Sequence, residues 1–133
     1  MKYEVFSYDG IGYQKLMVYK DWRIAILNYI DELEIDNLTY VEAHHETDEA
    51  FILLKGEATL IFADVEDQKI IGFTKLNLEP NKVYNIKKNI YHTHTLSKDC
   101  QLLIVEEENT SDFNSHRIYF NDQAKKKLKE IFE

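Results

Sequence analysis

Cysteine and positive charge are both scarce in this 133-residue chain, and each shortage excludes a class of protein. The single cysteine, Cys100, excludes an internal disulfide and a cysteine-based zinc cluster. The 16 Lys and Arg residues stand against 24 Asp and Glu, and the formal net charge of -8 disfavours nucleic acid and anionic membranes as partners. No apolar run approaches the roughly 20 residues of a membrane helix, and the N-terminus lacks the apolar stretch of a secretory signal. We therefore expect a cytoplasmic protein.

Hydrophobic residues, at 44%, are plentiful enough to fill a core, and the length suits one domain over 1–133. Most of the middle of the chain consists of short apolar runs separated by polar turns, which is typical of a β-sandwich or barrel. The predicted strands are Phe51–Leu54, Ala58–Val65, Lys69–Leu78, Val83–Ile86, Ile90–Leu96 and Gln101–Val105.

Two further segments have a different pattern. Trp22–Ile30 fits either a helix capped by Asp21 or a strand, and we favour the strand because of the apolar run Ile24–Leu27. At the end of the chain, Asn121 can cap a helix over about 121–132. Its apolar stripe would consist of Ala124, Leu128, Ile131 and Phe132.

Four of the five histidines occur as two close pairs, His44-His45 and His92-x-His94, each on or beside a predicted strand. The first pair stands next to an acidic cluster that includes Glu49. Neutral imidazoles and carboxylates are ligands that suit a divalent transition metal. Two imidazoles and one carboxylate from separate strands would also leave coordination positions open for a ligand.

The segment Glu42–Gly56 resembles the first motif of the cupin superfamily, and Asn81–Leu96 resembles the second. In the first motif, His-x-His is followed after three or four residues by Glu, and six residues later by Gly. Glu49 and Gly56 have that six-residue interval. The resemblance covers about 38–108 and implies an all-β double-stranded β-helix, a small jelly-roll barrel, here followed by the C-terminal α-helix.

The resemblance implies that His44, Glu49 and His92 bind a divalent metal ion (Fe, Mn, Ni or Zn). One of the family's two first-motif histidines is absent, because a four-residue spacer gives Glu42 and His44 while a three-residue spacer gives Ala43 and His45. We favour the four-residue spacer, because alternation then places Glu42 and His44 on one strand face. Glu42, His45 and His94 are the possible additional ligands.

The second motif departs from the family's pattern at Lys87, Asn89 and Leu96, which replace Pro, Gly and Asn. Asn tolerates the left-handed turn conformation that Gly would adopt. His94 shares a strand face with His92 and is a candidate acid/base group. The string His-Thr-His-Thr-Leu also resembles small bacterial cupins of uncharacterised function.

Three functions follow from these observations as alternatives. The first is a metal-binding cupin with a barrel-interior pocket for a small polar molecule, and the second is a binding module without catalysis. The third is a metal-independent sugar-nucleotide epimerase or ketoisomerase, to which Lys55, Lys87 and Lys88 could contribute positive charge.

The family also implies a homodimer, with which the apolar segments Phe6–Tyr8 and Leu16–Tyr19 agree. Whether the protein is an enzyme is left open, since this fold hosts many functions.

Overall fold

The computed structural model describes residues 2–133, which form ten strands, one α-helix and three short 3-10 helices. The strands are β1 Tyr13–Tyr19, β2 Trp22–Asn28, β3 Tyr40–His44, β4 Glu49–Lys55, β5 Ala58–Glu66, β6 Lys69–Asn77, β7 Val83–Ile86, β8 His92–Leu96, β9 Gln101–Glu107 and β10 Ser115–Tyr119. The α-helix is α1 Asp122–Ile131, and the 3-10 helices are Asp31–Leu33, Ile35–Asn37 and Asp112–Asn114. None of the helices within 2–133 is long and apolar enough to cross a membrane.

The strands form two five-stranded sheets of antiparallel neighbours. One sheet has the order β1-β2-β9-β4-β7 and the other the order β10-β3-β8-β5-β6. From β2 to β5, and again from β6 to β10, successive strands alternate between the sheets, which is the arrangement of a jelly roll. The predicted all-β jelly roll with a C-terminal helix is therefore confirmed.

The segment that fitted either a helix or a strand is strand β2. It pairs with β1 on one side and with β9 on the other. The pairing with β9 covers seven residues, from Trp22↔Glu107 to Asn28↔Gln101. A buried central strand satisfies its backbone on both sides, which explains the apolar run of the sequence. The sheets extend beyond 38–108, since they also include β1, β2 and β10.

Two apolar cores are separated by the second sheet. Strand β5 shows the division, because Leu60 points between the two sheets while Ile61 points to the opposite face, as the alternation predicts. The core between the sheets also contains Phe51 and Leu102. Both are fully buried. This core fills one end of the barrel and leaves the other end to polar side chains.

Helix α1 covers the outer face of the second sheet. The side chain of Asn121 caps it as predicted, with Oδ1 accepting the N–H of Ala124 at 2.8 Å. Ala124 and Leu128 are buried, and Ile131 and Phe132 pack around them. The predicted apolar stripe is therefore the surface that α1 buries.

Two turns take the left-handed conformation that their residue types allow. Gly56, between β4 and β5, has φ +73°, and Asn89 has φ +70° at the position where the second motif has Gly. The N–H of Asn89 donates to the carbonyl of His44 at 2.7 Å. This turn therefore fixes the end of β3, where the first histidine lies.

We expect Gly56→Ala to lower the free energy of unfolding by about 1–3 kcal/mol, because φ is positive there and a Cβ would lie 2.7 Å from Cα of Cys100. Urea unfolding measures the change. Gly72→Ala is the matched control, because its Cβ would meet only Asp64 Oδ2 at 3.6 Å. The control should stay within about 0.5 kcal/mol of the parent protein. Equal losses for the two variants would contradict this account of the turn.

Candidate functional site

A cavity of about 740 Å³ occupies the end of the barrel that the apolar core leaves open. Strands β3 and β8 contribute to one wall, β2 and β9 to the other, and the segments before β3 and β10 border the mouth. Part of the lining is apolar, formed by Leu27, Ile30, Leu33 and Ile104. Apolar walls with a few converging polar groups are typical of a small-molecule site.

His44, Glu49 and His92 converge inside this cavity, although 48 positions separate the first from the last. Their potential ligand atoms all lie within 4.8 Å of one another. Glu49 Oε1 is 3.3 Å from Nε2 of His44 and 3.1 Å from Nε2 of His92. Glu49 and His92 are buried, and the His44 side chain is only 11% exposed.

Strand pairing explains this convergence. Within the second sheet, Glu42 of β3 pairs with His92 at the start of β8. The turn after β3 then carries the chain to the first sheet, where β4 begins at Glu49. His44 at the end of one strand and Glu49 at the start of the next thus face each other across the barrel.

Hydrogen bonds on the far side of both rings fix their orientation. Nδ1 of His92 lies 3.0 Å from the carbonyl oxygen of Ile90, and because a carbonyl can only accept, this Nδ1 carries a hydrogen. Nδ1 of His44 lies 2.7 Å from Oγ of Ser115 on β10. When the His92 ring is neutral, its Nε2 therefore directs a lone pair at the carboxylate of Glu49. The lone pair and the negative carboxylate repel each other unless a proton or a cation lies between them.

The buried ion pairs raise the pKa of His44 and lower the pKa of Glu49. Burial by itself would lower the pKa of His44, but the hydrogen bond and charge of Glu49 and the charge of Glu42 raise it. Burial would raise the pKa of Glu49, but hydrogen bonds from His44 and His92 hold it far below its usual range. The cluster therefore keeps a carboxylate charge inside the protein.

Glu106, near the end of β9, is a site residue that the sequence analysis did not identify. Its Oε1 accepts hydrogen bonds from Arg23, at 2.6 Å from Nη2 and 3.2 Å from Nε, and from the Tyr13 hydroxyl at 3.3 Å. Burial, together with the charge and hydrogen bond of Glu49, raises the pKa of Glu106 to about 7. Glu106 can therefore hold a proton beside Glu49 near neutral pH.

The sequence contains a signal that could have identified Glu106. Leu102 and Ile104 are buried inside the barrel, and alternation along β9 continues their face to Glu106. Ser115 and Arg117, by contrast, lie on β10, which no apolar pattern indicates.

The remaining predicted ligands are divided between the cavity and the surface. Glu42 lines the cavity, with Oε1 3.8 Å from Nε2 of His44 and Oε2 accepting from Nε of Arg117 at 2.7 Å. His45 lies outside the cavity and is exposed, with Nδ1 2.8 Å from Oδ1 of Asn89. The structure thus places His44 in the cluster and not His45, as the four-residue spacer predicts.

His94 borders the cavity on the same strand as His92. Its ring centroid lies 5.6 Å from that of Phe51, and its buried Nδ1 has no hydrogen-bond partner within the described residues. Burial lowers the pKa of His94 to about 4. Its imidazole is therefore uncharged near neutral pH, which makes it a hydrogen-bonding group and a weak base.

Acidic side chains outnumber basic ones in the cavity lining. The acidic residues are Glu32, Glu42, Glu49, Glu106 and Asp112, and the basic ones are Arg23 and Arg117. Each arginine is already paired with a carboxylate, that of Glu106 or Glu42. The three lysines suggested for a diphosphate site, Lys55, Lys87 and Lys88, are not among the lining residues.

Comparison with known proteins supports the fold. No family model and no curated protein matches the chain. A cupin-2 domain protein from Shewanella frigidimarina is 18% identical, with a TM-score of 0.55 over 76% of this chain and 85% of its own. Pac13 of Streptomyces, described as a nucleoside dehydratase, is 6% identical, with a TM-score of 0.60 over 93% and 97%. The Fe(II) protein HppE is 14% identical, with a TM-score of 0.52 over 72% of this chain and 50% of its own.

In the metal-free protein, the contribution of Glu106 to stability should fall as the pH rises from about 4.5 to 7. The raised pKa of Glu106 means that the folded state binds this proton more tightly than the unfolded chain does. Its contribution is complete below the usual carboxyl pKa and is lost as the pH passes about 7. The raised pKa of His44 acts in the same direction, and the contribution of Glu49 is lost only in more acidic solution. The pKa of His94, lowered to about 4, acts in the opposite direction, because the unfolded chain binds that proton more tightly.

Chemical unfolding across this pH range after chelation tests the assignment. The stability of Glu106→Gln relative to the parent protein should rise as the pH increases through this range, because the variant lacks the proton that Glu106 loses. Glu107→Gln, the neighbour on the opposite face of β9, should show no such change. A stability difference between Glu106→Gln and the parent protein that is the same at every pH would contradict the assignment.

Proposed function

We propose that this chain, which has the cupin fold, is a metal-binding cupin whose barrel-interior cavity takes a small polar molecule. His44, Glu49 and His92 would hold one divalent ion, with Fe, Mn, Ni and Zn as the candidates. The observation that carries the proposal is the contact of two imidazole Nε2 atoms with one buried carboxylate oxygen, at 3.3 and 3.1 Å.

The residues fit a metal in ligand type, and the two distances from Glu49 Oε1 fit the spacing of metal ligands. Two ligands that each bind an ion at about 2.1 Å lie about 3.0 Å apart in octahedral and 3.4 Å apart in tetrahedral geometry. The two contacts of Glu49 Oε1 agree with that range. The hydrogen bond from His92 Nδ1 to the Ile90 carbonyl is the outer contact that commonly orients a metal-ligating histidine.

A divalent ion in this cavity would supply a Lewis acid for a bound oxygen group. The protein's own residues provide the surroundings. Arg23 and Tyr13 hold Glu106 beside Glu49, and Ser115 holds the ring of His44.

The sugar-nucleotide alternative is less well supported. A diphosphate needs unpaired positive charge, but both arginines of the lining are already paired with carboxylates. A binding role without catalysis uses the same residues as the metal proposal. The similar structures include an Fe(II) protein and a nucleoside dehydratase, so this fold accommodates more than one chemistry.

We also propose that the protein is a cytoplasmic homodimer. Residues 2–12 contain no strand or helix and precede β1, the outer strand of its sheet. This N-terminal segment and β1 expose several large apolar side chains: Tyr3, Val5, Phe6, Ile11, Val18 and Tyr19. A second copy of the chain would cover this surface and the open sheet edge. The free thiol of Cys100 suits a reducing compartment.

Purified without a histidine tag, the protein should contain about one divalent ion per chain, measured by elemental analysis. His92→Ala should abolish this content, because one imidazole and one carboxylate cannot hold the ion alone. His116→Ala, which removes an exposed histidine outside the cavity, is the control. Circular dichroism checks that each variant folds. Full metal content in folded His92→Ala, or none in the parent protein, would contradict the proposed site.

Analytical ultracentrifugation should show a dimer at micromolar concentration. Val5→Glu combined with Ile11→Glu should shift it to monomer, because both side chains are largely exposed on the proposed interface. Phe113→Glu changes an equally exposed apolar residue elsewhere and should remain dimeric. A monomeric parent protein would refute the dimer.

A further inference from the structure

The carboxylate of Glu42 lies just outside the spacing that metal ligands adopt. Its Oε1 is 3.8 Å from Nε2 of His44. Two ligands of one ion lie about 3.0–3.4 Å apart, and Oε1 of Glu49 is 3.3 Å from the same nitrogen. A small shift of Glu42 would therefore bring a second carboxylate to ligand distance from His44.

Arg117 holds the other oxygen of the Glu42 carboxylate. The two residues are direct partners across the pair of β3 and β10. Nε of Arg117 donates to Oε2 of Glu42 at 2.7 Å, and a charge-assisted hydrogen bond of this length is a strong one. The carboxylate of Glu42 thus has one oxygen near His44 and the other bound to a guanidinium.

Two further contacts fix the position of this guanidinium. Nη2 of Arg117 donates to Oδ1 of Asp112 at 3.2 Å. Asp112 is exposed, so this ion pair by itself would be weak. Cζ of Arg117 also lies 4.4 Å from the ring centroid of Tyr40, in a cation–π contact. Arg117 would lose these contacts if it followed Glu42 toward the cluster.

The number of carboxylates on an ion decides what the ion can do. With one carboxylate and two neutral imidazoles, a divalent ion keeps one unit of positive charge and has coordination positions open for an oxygen group. A second carboxylate would neutralise that charge and fill one of the positions. For zinc, three protein ligands are typical of catalytic sites and four of structural ones.

We propose that Arg117 is a positioning residue that withholds Glu42 from the ion and thereby keeps a coordination position open for the ligand of the cavity. Arg117 acts through Glu42 and does not contact the ion. Arg23 has a similar arrangement on the other wall, where Nη2 and Nε donate to Oε1 of Glu106. This inference rests on the proposed function, since it concerns the coordination of the proposed ion.

The experiment uses Mn²⁺ as its probe. Electron paramagnetic resonance measures free Mn²⁺ and hence the dissociation constant, and water-proton relaxation measures the number of water molecules on the bound ion. Arg117→Leu keeps an apolar side chain beside Tyr40 and releases Glu42. We expect Mn²⁺ to bind about tenfold more tightly to this variant and to lose one bound water. Adding Glu42→Gln to Arg117→Leu should restore both values, and Arg117→Lys, which keeps a cation beside Glu42, should stay near the parent protein.

A control separates coordination from a change of charge. Arg117→Leu makes the cavity lining more negative by one unit, which by itself attracts a cation. Ser111→Asp makes the same change of charge in the lining and keeps a residue type that caps the 3-10 helix. Its number of bound waters should equal that of the parent protein, whatever its affinity. Circular dichroism checks that each variant folds, and Arg117→Gln supplies the same readouts if Arg117→Leu does not fold.

The outcomes distinguish this inference from the proposed function. In a parent protein that binds Mn²⁺, an unchanged number of bound waters or weaker binding in folded Arg117→Leu would overturn only the role of Arg117. A loss of water that persists after Glu42→Gln would overturn it as well. A parent protein that binds no Mn²⁺, Fe²⁺, Ni²⁺ or Zn²⁺ would refute the proposed function. The role of Arg117 would then hold if Arg117→Leu gained Mn²⁺ binding that depends on Glu42, and would otherwise be refuted too.

Discussion

One carboxylate oxygen, Oε1 of Glu49, lies within 3.3 Å of two imidazole nitrogens in a buried part of the barrel, and the polar end of the molecule is arranged around that contact. Burying this charge is unfavourable unless hydrogen bonds and opposite charge compensate it. Ser115 and the Ile90 carbonyl hold the two rings from behind. The strands that carry these groups belong to both sheets, so the contact depends on the closed barrel.

The apolar end of the barrel makes this charged end possible. Phe51, Leu60 and Leu102 are completely or almost completely buried between the sheets and supply apolar burial that a polar cavity cannot. Glu106 shows the cost of the arrangement, since its pKa rises to about 7 even though Arg23 donates two hydrogen bonds to it. A second carboxylate beside Glu49 is tolerated only with a proton, an arginine or a cation nearby.

The charges of the lining connect the fold to the choice of ligand. Arg23 and Arg117 face the cavity, yet both already bind its own glutamates, so their positive charge is not free for an anion. His94 lies in the same wall beside Phe51, and its Nδ1 has no hydrogen-bond partner within the described residues. The paired arginines therefore offer little positive charge to a diphosphate.

The sequence by itself determined what depends on neighbouring residues: the strands of the middle, the capped helix, the left-handed turn at Asn89, and the inward face shared by Glu42 and His44. The resemblance of Glu42–Gly56 to the first cupin motif also indicated Glu49 as the carboxylate of the cluster. Only the tertiary structure decided that Glu106 lies beside Glu49 and that β10 brings Ser115 and Arg117 to the wall. Alternation tells which face of a strand a residue occupies, but the pairing of strands far apart in the chain decides what that face meets.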